Sequence, residues 1–178
     1  INDKHNDMIK DMKNAKKYIF MEYFIMSKGI LLNEIIDVLK QKGEEGVEIK
    51  ICYDDFGSKL GLKKKDIKRF KEIPNLEIVD FEPLGLTIKI SANYRDHRKL
   101  VIVDGNIAYL GGDNIADEYA NLKSRFGHWR DNAIRIEGDA VDNCLYSFIE
   151  SWYLSTKKIL SFDEYKFTGE SETTNNIV

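Results

Sequence analysis

Between Asp7 and Lys17 the apolar side chains Met8, Met12 and Ala15 recur at helical spacing with lysines on the other face, which predicts an amphipathic helix. Tyr18 to Ile25 is aromatic and aliphatic apart from Glu22 and reads as a buried strand. Leu31, Leu32, Ile35, Ile36 and Leu39 stripe the next helix, with Gly43 as its C-terminal stop. Val47 to Tyr53 is a strand ending in the polar loop Asp54-Asp55-Phe56-Gly57-Ser58. A helix over Lys63 to Lys71 is broken by Pro74-Asn75, and Leu76 to Phe81 is a further strand. Ile88 to Asn93 leads into a β-branched strand over Arg98 to Val103. The turn Asp104-Gly105-Asn106 folds Ile107 to Leu110 back antiparallel. Asn132 to Glu137 is one more strand. Val141, Leu145, Phe148 and Trp152 then stripe a helix over Asp139 to Ser155, with Asp139 as its cap.

A β-α-β-α-β alternation followed by a hairpin predicts an α/β sandwich with a mixed β-sheet flanked by helices. The expected organisation is one catalytic domain over residues 1–160 and a polar linker or tail over 161–178, where Gly169 to Asn176 has a linker's composition. The 178 residues, 43% hydrophobic and 32% charged, suit a globular domain with a sizeable core. A formal net charge of −3 gives no global basic field, so nucleic acid is not expected as a partner and an anionic substrate needs a local cluster. Cys52 and Cys144 each sit in an apolar run and read as buried thiols. No stretch approaches the roughly 18 apolar residues of a membrane helix. The chain begins at Ile1 and reads as a soluble piece excised from a longer protein.

The chemistry concentrates between Asp96 and Asn114. On a strand, side chains two apart share a face, so His97 and Lys99 point the same way while Leu100 and Ile102 enter an apolar layer. A lysine neutralises phosphoryl oxygens, and a neutral histidine can attack phosphorus. The hairpin returns Gly111-Gly112 and Asn114 to the start of the same strand. There the glycines permit close backbone approach and Asn114 offers a neutral donor.

His97-x-Lys99, then Asp104, then Gly111-Gly112-x-Asn114 at these fixed intervals is similar to the HKD signature of the phospholipase D superfamily. The text around it looks like the cardiolipin synthase branch: Asn93 to Lys99, Gly112 to Tyr119, Trp129-Arg130-Asp131 and Asp54 to Ser58. The resemblance spans roughly residues 5 to 155 and is closest to the first catalytic half of a bacterial enzyme. It implies a phospholipase D-like fold and transfer through a covalent phosphohistidine without metal or other cofactor. His97 would attack phosphorus, Lys99 and Asn114 would hold the phosphoryl oxygens, and Asp131 would back the imidazole. Asp104 would be structural. Gly112 stands where some relatives carry serine, and Tyr94 and Arg95 would line the substrate pocket.

The family builds one site from two HKD motifs, and this chain has one; His5 and His128 lie outside any His-x-Lys. The partner is therefore expected to be a second half beyond Val178, or a second copy of the chain across a twofold axis. The implied reaction is conversion of the phospholipid phosphatidylglycerol to cardiolipin, by a parent protein held at the cell membrane. The rivals are a homodimeric phosphodiesterase or nuclease, and a catalytically silent half-domain. Several residues carry two readings. Asn114 could also cap a helix starting near Ile115, and Asp131 could pair with Arg130 or Arg95. Glu22 could reach the site or pair with a basic side chain. Asp54 and Asp55 suggest a metal only weakly, since no other carboxylates cluster with them in sequence. His128 reads as a loop residue. Lys63-Lys64-Lys65 reads as a solvated helix start, with contact to lipid headgroups as the lesser reading.

Overall fold

The computed structural model describes residues 3–81 and 95–169. Six strands form one mixed sheet in the order β3-β2-β1-β4-β5-β6. They are β1 (Tyr18–Tyr23), β2 (Glu48–Asp54), β3 (Leu76–Phe81), β4 (Lys99–Val103), β5 (Ile107–Gly111) and β6 (Ala133–Glu137). The first three run parallel, and β4 joins β1 antiparallel with Tyr23 opposite Lys99. β5 and β6 follow as antiparallel neighbours. The predicted α/β class with a mixed sheet is what forms.

Both faces are covered, which is why β1 and β4 are apolar at nearly every position instead of alternating. On one face Ile19, Met21, Val101 and Val103 pack under α1 (Asp3–Asn14) and α2 (Ile30–Glu44), through Met8, Met12, Leu31, Ile35 and Leu39. On the other, Phe20, Leu100 and Ile102 meet Leu145, Phe148 and Trp152 of α5 (Val141–Thr156). Phe20 and Phe148 stack at 4.7 Å. Cys52 and Cys144 are buried and unbonded to one another.

Several local expectations change. Asp54 to Ser58 is not a loop but the short helix α3 (Asp55–Ser58), whose cap Asp54 accepts from Gly57 N at 2.9 Å. The 63–71 helix forms as α4 (Lys64–Lys71). Gly43 does not stop α2, which runs on to Glu44; Gly46 takes the left-handed conformation at φ +91°. Gly43 is small because the Pro74 carbonyl lies against its Cα. Asp139 does not cap α5. It sits in a 3-10 turn, Gly138–Ala140, that delivers the chain from β6.

The packed chain continues beyond residue 160. Helix α6 (Phe162–Tyr165) lays the Tyr165 ring against Phe20, and Tyr18 Oη donates to the Tyr165 carbonyl at 2.7 Å. Ile88 to Asn93, Tyr94 and the end of the tail from residue 170 lie outside the described residues. No helix among the described residues is long and apolar enough to cross a membrane.

Candidate functional site

The register of β1, β4 and β5 brings the motif to one edge of the sheet. Lys99 opens β4 beside Tyr23, the last residue of β1, while Gly111 closes β5 one step beyond the Leu100–Leu110 pair. Phe24 N donates to Arg98 O at 3.2 Å, carrying the ladder one residue further. The Phe24 ring then serves as a shared platform. The imidazole of His97 lies 4.8 Å from it, and Lys99 Nζ sits 5.3 Å from its centre. His97 is exposed, whereas Lys99 is buried with its ammonium on the His97 carbonyl. Burial holds the Lys99 ammonium below the usual lysine range, against the opposing charges of Asp96, Asp131 and Asp113.

Asn114 is buried, and its Oδ1 accepts from Ile25 N at 2.9 Å. Only the amide oxygen can accept from an N–H, so this bond assigns the side chain and leaves its NH₂ group as the donor. Asn114 caps no helix, because residues 112–132 contain none. Ile115 instead bridges to Met26 and accepts from Ser27 N at 2.8 Å. Its neighbour Asp113 is buried, with His5 Nε2 at 2.9 Å and Lys4 on its other oxygen. Burial pushes Asp113 up, but His5 and Lys4 outweigh it and hold the carboxyl below its ordinary value.

Asp131 lies against Gly112. Its Oδ2 accepts from Trp129 Nε1 at 3.1 Å and its Oδ1 from Asn132 N at 2.9 Å. It is close enough to act on Lys99. A cleft of about 460 Å³ opens here, lined by Lys4, Asp113, His128, Trp129, Arg130 and Asp131. Arg95 turns the other way, 3.9 Å from Asp54 Oδ1 and over the Phe56 ring at 5.3 Å. Asp104, at φ +55° in the hairpin turn, accepts from three backbone amides that start β1: Lys16 at 2.7 Å, Lys17 at 2.8 Å and Tyr18 at 2.9 Å.

Beneath the start of β4 lies a group of which the sequence marks only Glu22, the lone acid of its strand, here paired with a basic side chain as one of its two readings has it. Glu22 and Asp96 are buried side by side; Ser151 Oγ donates to Glu22 Oε1 at 2.7 Å, and Arg98 Nη1 reaches it at 3.3 Å. Burial, then the neighbouring Asp96, pushes Glu22 up to about 9, against Ser151 and Arg98. A buried carboxyl raised this far keeps its proton at neutral pH. No cluster of three metal-ligating side chains occurs among the described residues.

The chain is 40% identical to a cardiolipin synthase of Oceanobacillus iheyensis over 161 residues, covering 90% of this chain and 33% of that protein. It is also 40% identical to cardiolipin synthase 2 of Staphylococcus epidermidis, covering 92% of this chain and 34% of the relative. It thus spans about a third of the length of these relatives. In fold it is similar to NucT from Helicobacter pylori, with a TM-score of 0.64 and 16% identity over 84% of this chain and 87% of that one. Residues 8–141, which carry every element of the sheet edge described above, match the family described as cardiolipin synthase, PLD-like domain, and the chain belongs to that family.

Proposed function

We propose that this chain is one catalytic half of a phosphatidyltransferase that makes cardiolipin from phosphatidylglycerol. The observation that supports it most is the convergence on one sheet edge of His97, the Lys99 ammonium and Asn114, whose amide NH₂ group is a donor. In the first step a ring nitrogen of His97 attacks phosphorus, the P–O bond to the glycerol headgroup breaks, and the departing oxygen takes a proton. In the second, a hydroxyl of another phosphatidylglycerol attacks the phosphohistidine, loses its proton and frees the imidazole. Lys99 and Asn114 neutralise and bind the phosphoryl oxygens while charge gathers there. Asp131 acts at the Gly112 side, through Lys99 and the Trp129 indole. The proton donor to the leaving glycerol comes from a second motif, in the rest of the parent protein or in a second copy. The parent works at a membrane surface, where both substrates lie.

The test is incubation of the protein containing both motifs with phosphatidylglycerol vesicles in EDTA. Cardiolipin and glycerol should form in equal amounts and disappear with His97→Ala. Phosphatidic acid in place of cardiolipin would establish the hydrolase reading. The homodimer reading draws only on likeness of fold to NucT, 87% of which is matched by 84% of this chain. Cleavage of a soluble chromogenic phosphodiester by a dimer of the present chain would favour it.

A further inference from the structure

The edge that carries His97 also carries exposed apolar side chains set among lysines. Because β1, β2 and β3 are parallel, α3 and the turn after it emerge from the end of β2 at the same edge as the motif. Leu60 in that turn is 94% exposed, and Phe56 in α3 and Ile30 at the start of α2 are each more than half exposed. The turn is firmly held. Gly61 N donates to Ser58 O at 2.9 Å, Lys28 N donates to Gly61 O at 3.1 Å, and a Cβ on Gly61 would overlap Met26 O and Ser27. Leu60 is therefore presented outward by a fixed backbone. Phe126, more than half exposed, projects from the 112–132 loop at the other side of the site.

A single exposed leucine means little. Charge makes the difference. Residues 55–71 carry seven cationic side chains against two carboxylates, in a chain whose formal net charge is −3. Of those carboxylates, Asp66 is buried and receives Lys63 N at 3.0 Å, so it does not neutralise the surface. Lys59, Lys63 and Lys64 form no ion pair among the described residues. Lys64, Lys68 and Lys71 share one face of α4 and, with Lys59 and Lys63, rim a cleft of about 400 Å³ floored by Leu62 and Ile67.

We propose that α3, the turn at Leu60 and the first turn of α4 form a docking surface for an anionic phospholipid bilayer. Leu60 and Phe56 enter the interface while Lys59, Lys63 and Lys64 face the headgroups. Docking there turns the His97 edge toward the membrane, so that a substrate headgroup is reached without leaving the bilayer. Nucleic acid is the other large polyanion, but it gives an exposed leucine nothing apolar to enter. The choice of lipid rests on that leucine and on the phosphatidyltransferase reading of the site.

Sedimentation of the 178-residue chain with vesicles tests this without turnover, so a failed transferase reading and a failed docking surface give separate results. Vesicles of phosphatidylcholine with phosphatidylglycerol should bind the chain, phosphatidylcholine alone should not, and salt should weaken binding. Replacing Lys59, Lys63 and Lys64 by alanine should reduce partitioning roughly a hundredfold. Leu60→Asp should lower it at least tenfold at low salt, while Ile159→Asp, at an exposed position beyond the end of α5, should leave it unchanged. Circular dichroism confirms that the variants fold, and Leu60→Ser serves if the triple variant does not. Wild-type chain that ignores anionic vesicles, variants that bind as wild type does, or preference for single-stranded DNA over vesicles would each overturn the proposal.

Discussion

The carboxylate of Asp131 occupies the space in which a side chain at Gly112 would begin. A Cβ built on Gly112 lies 3.0 Å from Asp131 Cγ and closer still to Oδ1. Glycine at this position therefore does more than permit substrate approach. It lets a carboxylate from the segment just before β6 close on the motif, where its charge reaches Lys99.

Gly112→Ala should consequently displace Asp131 and cost about 1–3 kcal/mol as an overpacked contact. The double variant with Asp131→Ala should recover part of that loss, with a coupling of roughly 0.5–3 kcal/mol. Urea melts of the three variants measure it. Strict additivity would mean that the two positions do not share the space.

Glu22 predicts a pH dependence of stability. Its folded value of about 9 lies above the ordinary 4.5. Between these values the unfolded chain gives up the proton and the folded chain keeps it, so stability falls as pH rises across that window. Glu22→Gln keeps the shape without the titration. Its melting temperature should be flatter from pH 5 to 9 and should exceed the parent's at the alkaline end. Parallel profiles would show that the folded chain does not hold a proton on Glu22.

Asp104 predicts loss of stability without loss of chemistry. Three backbone amides at the start of β1 would be left without their acceptor, a cost of about 3 kcal/mol in Asp104→Ala. Denaturant midpoints read this directly. The rate per folded molecule, measured at low temperature, should stay near that of the parent.

Lys99 predicts the reverse. Its buried ammonium is held among Asp96, Asp113 and Asp131 without a direct ion pair among the described residues. Lys99→Met should raise stability by roughly 1 kcal/mol. It should also lower phosphoryl transfer by on the order of a hundredfold, since a charge aimed at the phosphoryl oxygens is gone. Thermal melts and turnover on the same preparation separate the two effects.

What the sequence disclosed follows from how local each signal is. The Asp104-Gly105-Asn106 turn and the β-branched run before it define the β4–β5 hairpin from adjacent residues, and the hairpin alone carries His97, Lys99 and Gly111 to one edge. Only the cap reading of Asn114 fails: an asparagine before Ile115-Ala116-Asp117-Glu118 has a helix cap's spelling, but no helix follows it. The bond to Ile25 N, 89 residues away, decides its orientation instead. Glu22, Asp96, Arg98 and Ser151 meet from three separate elements, and no window of sequence contains them together. Asp117 is equally hidden: it caps α2 through Ile30 N and Leu31 N, both at 3.0 Å, from 87 and 86 residues further along the chain.

His97 is proposed to carry the phosphatidyl group between donor and acceptor. Rapid acid or detergent quench of the two-motif protein turning over phosphatidylglycerol, followed by peptide mass spectrometry, tests it most directly. A phosphatidyl adduct should appear on the peptide containing His97, be absent from His97→Ala and be discharged on adding acceptor lipid. An adduct on any other residue, or undiminished turnover in His97→Ala, would contradict it.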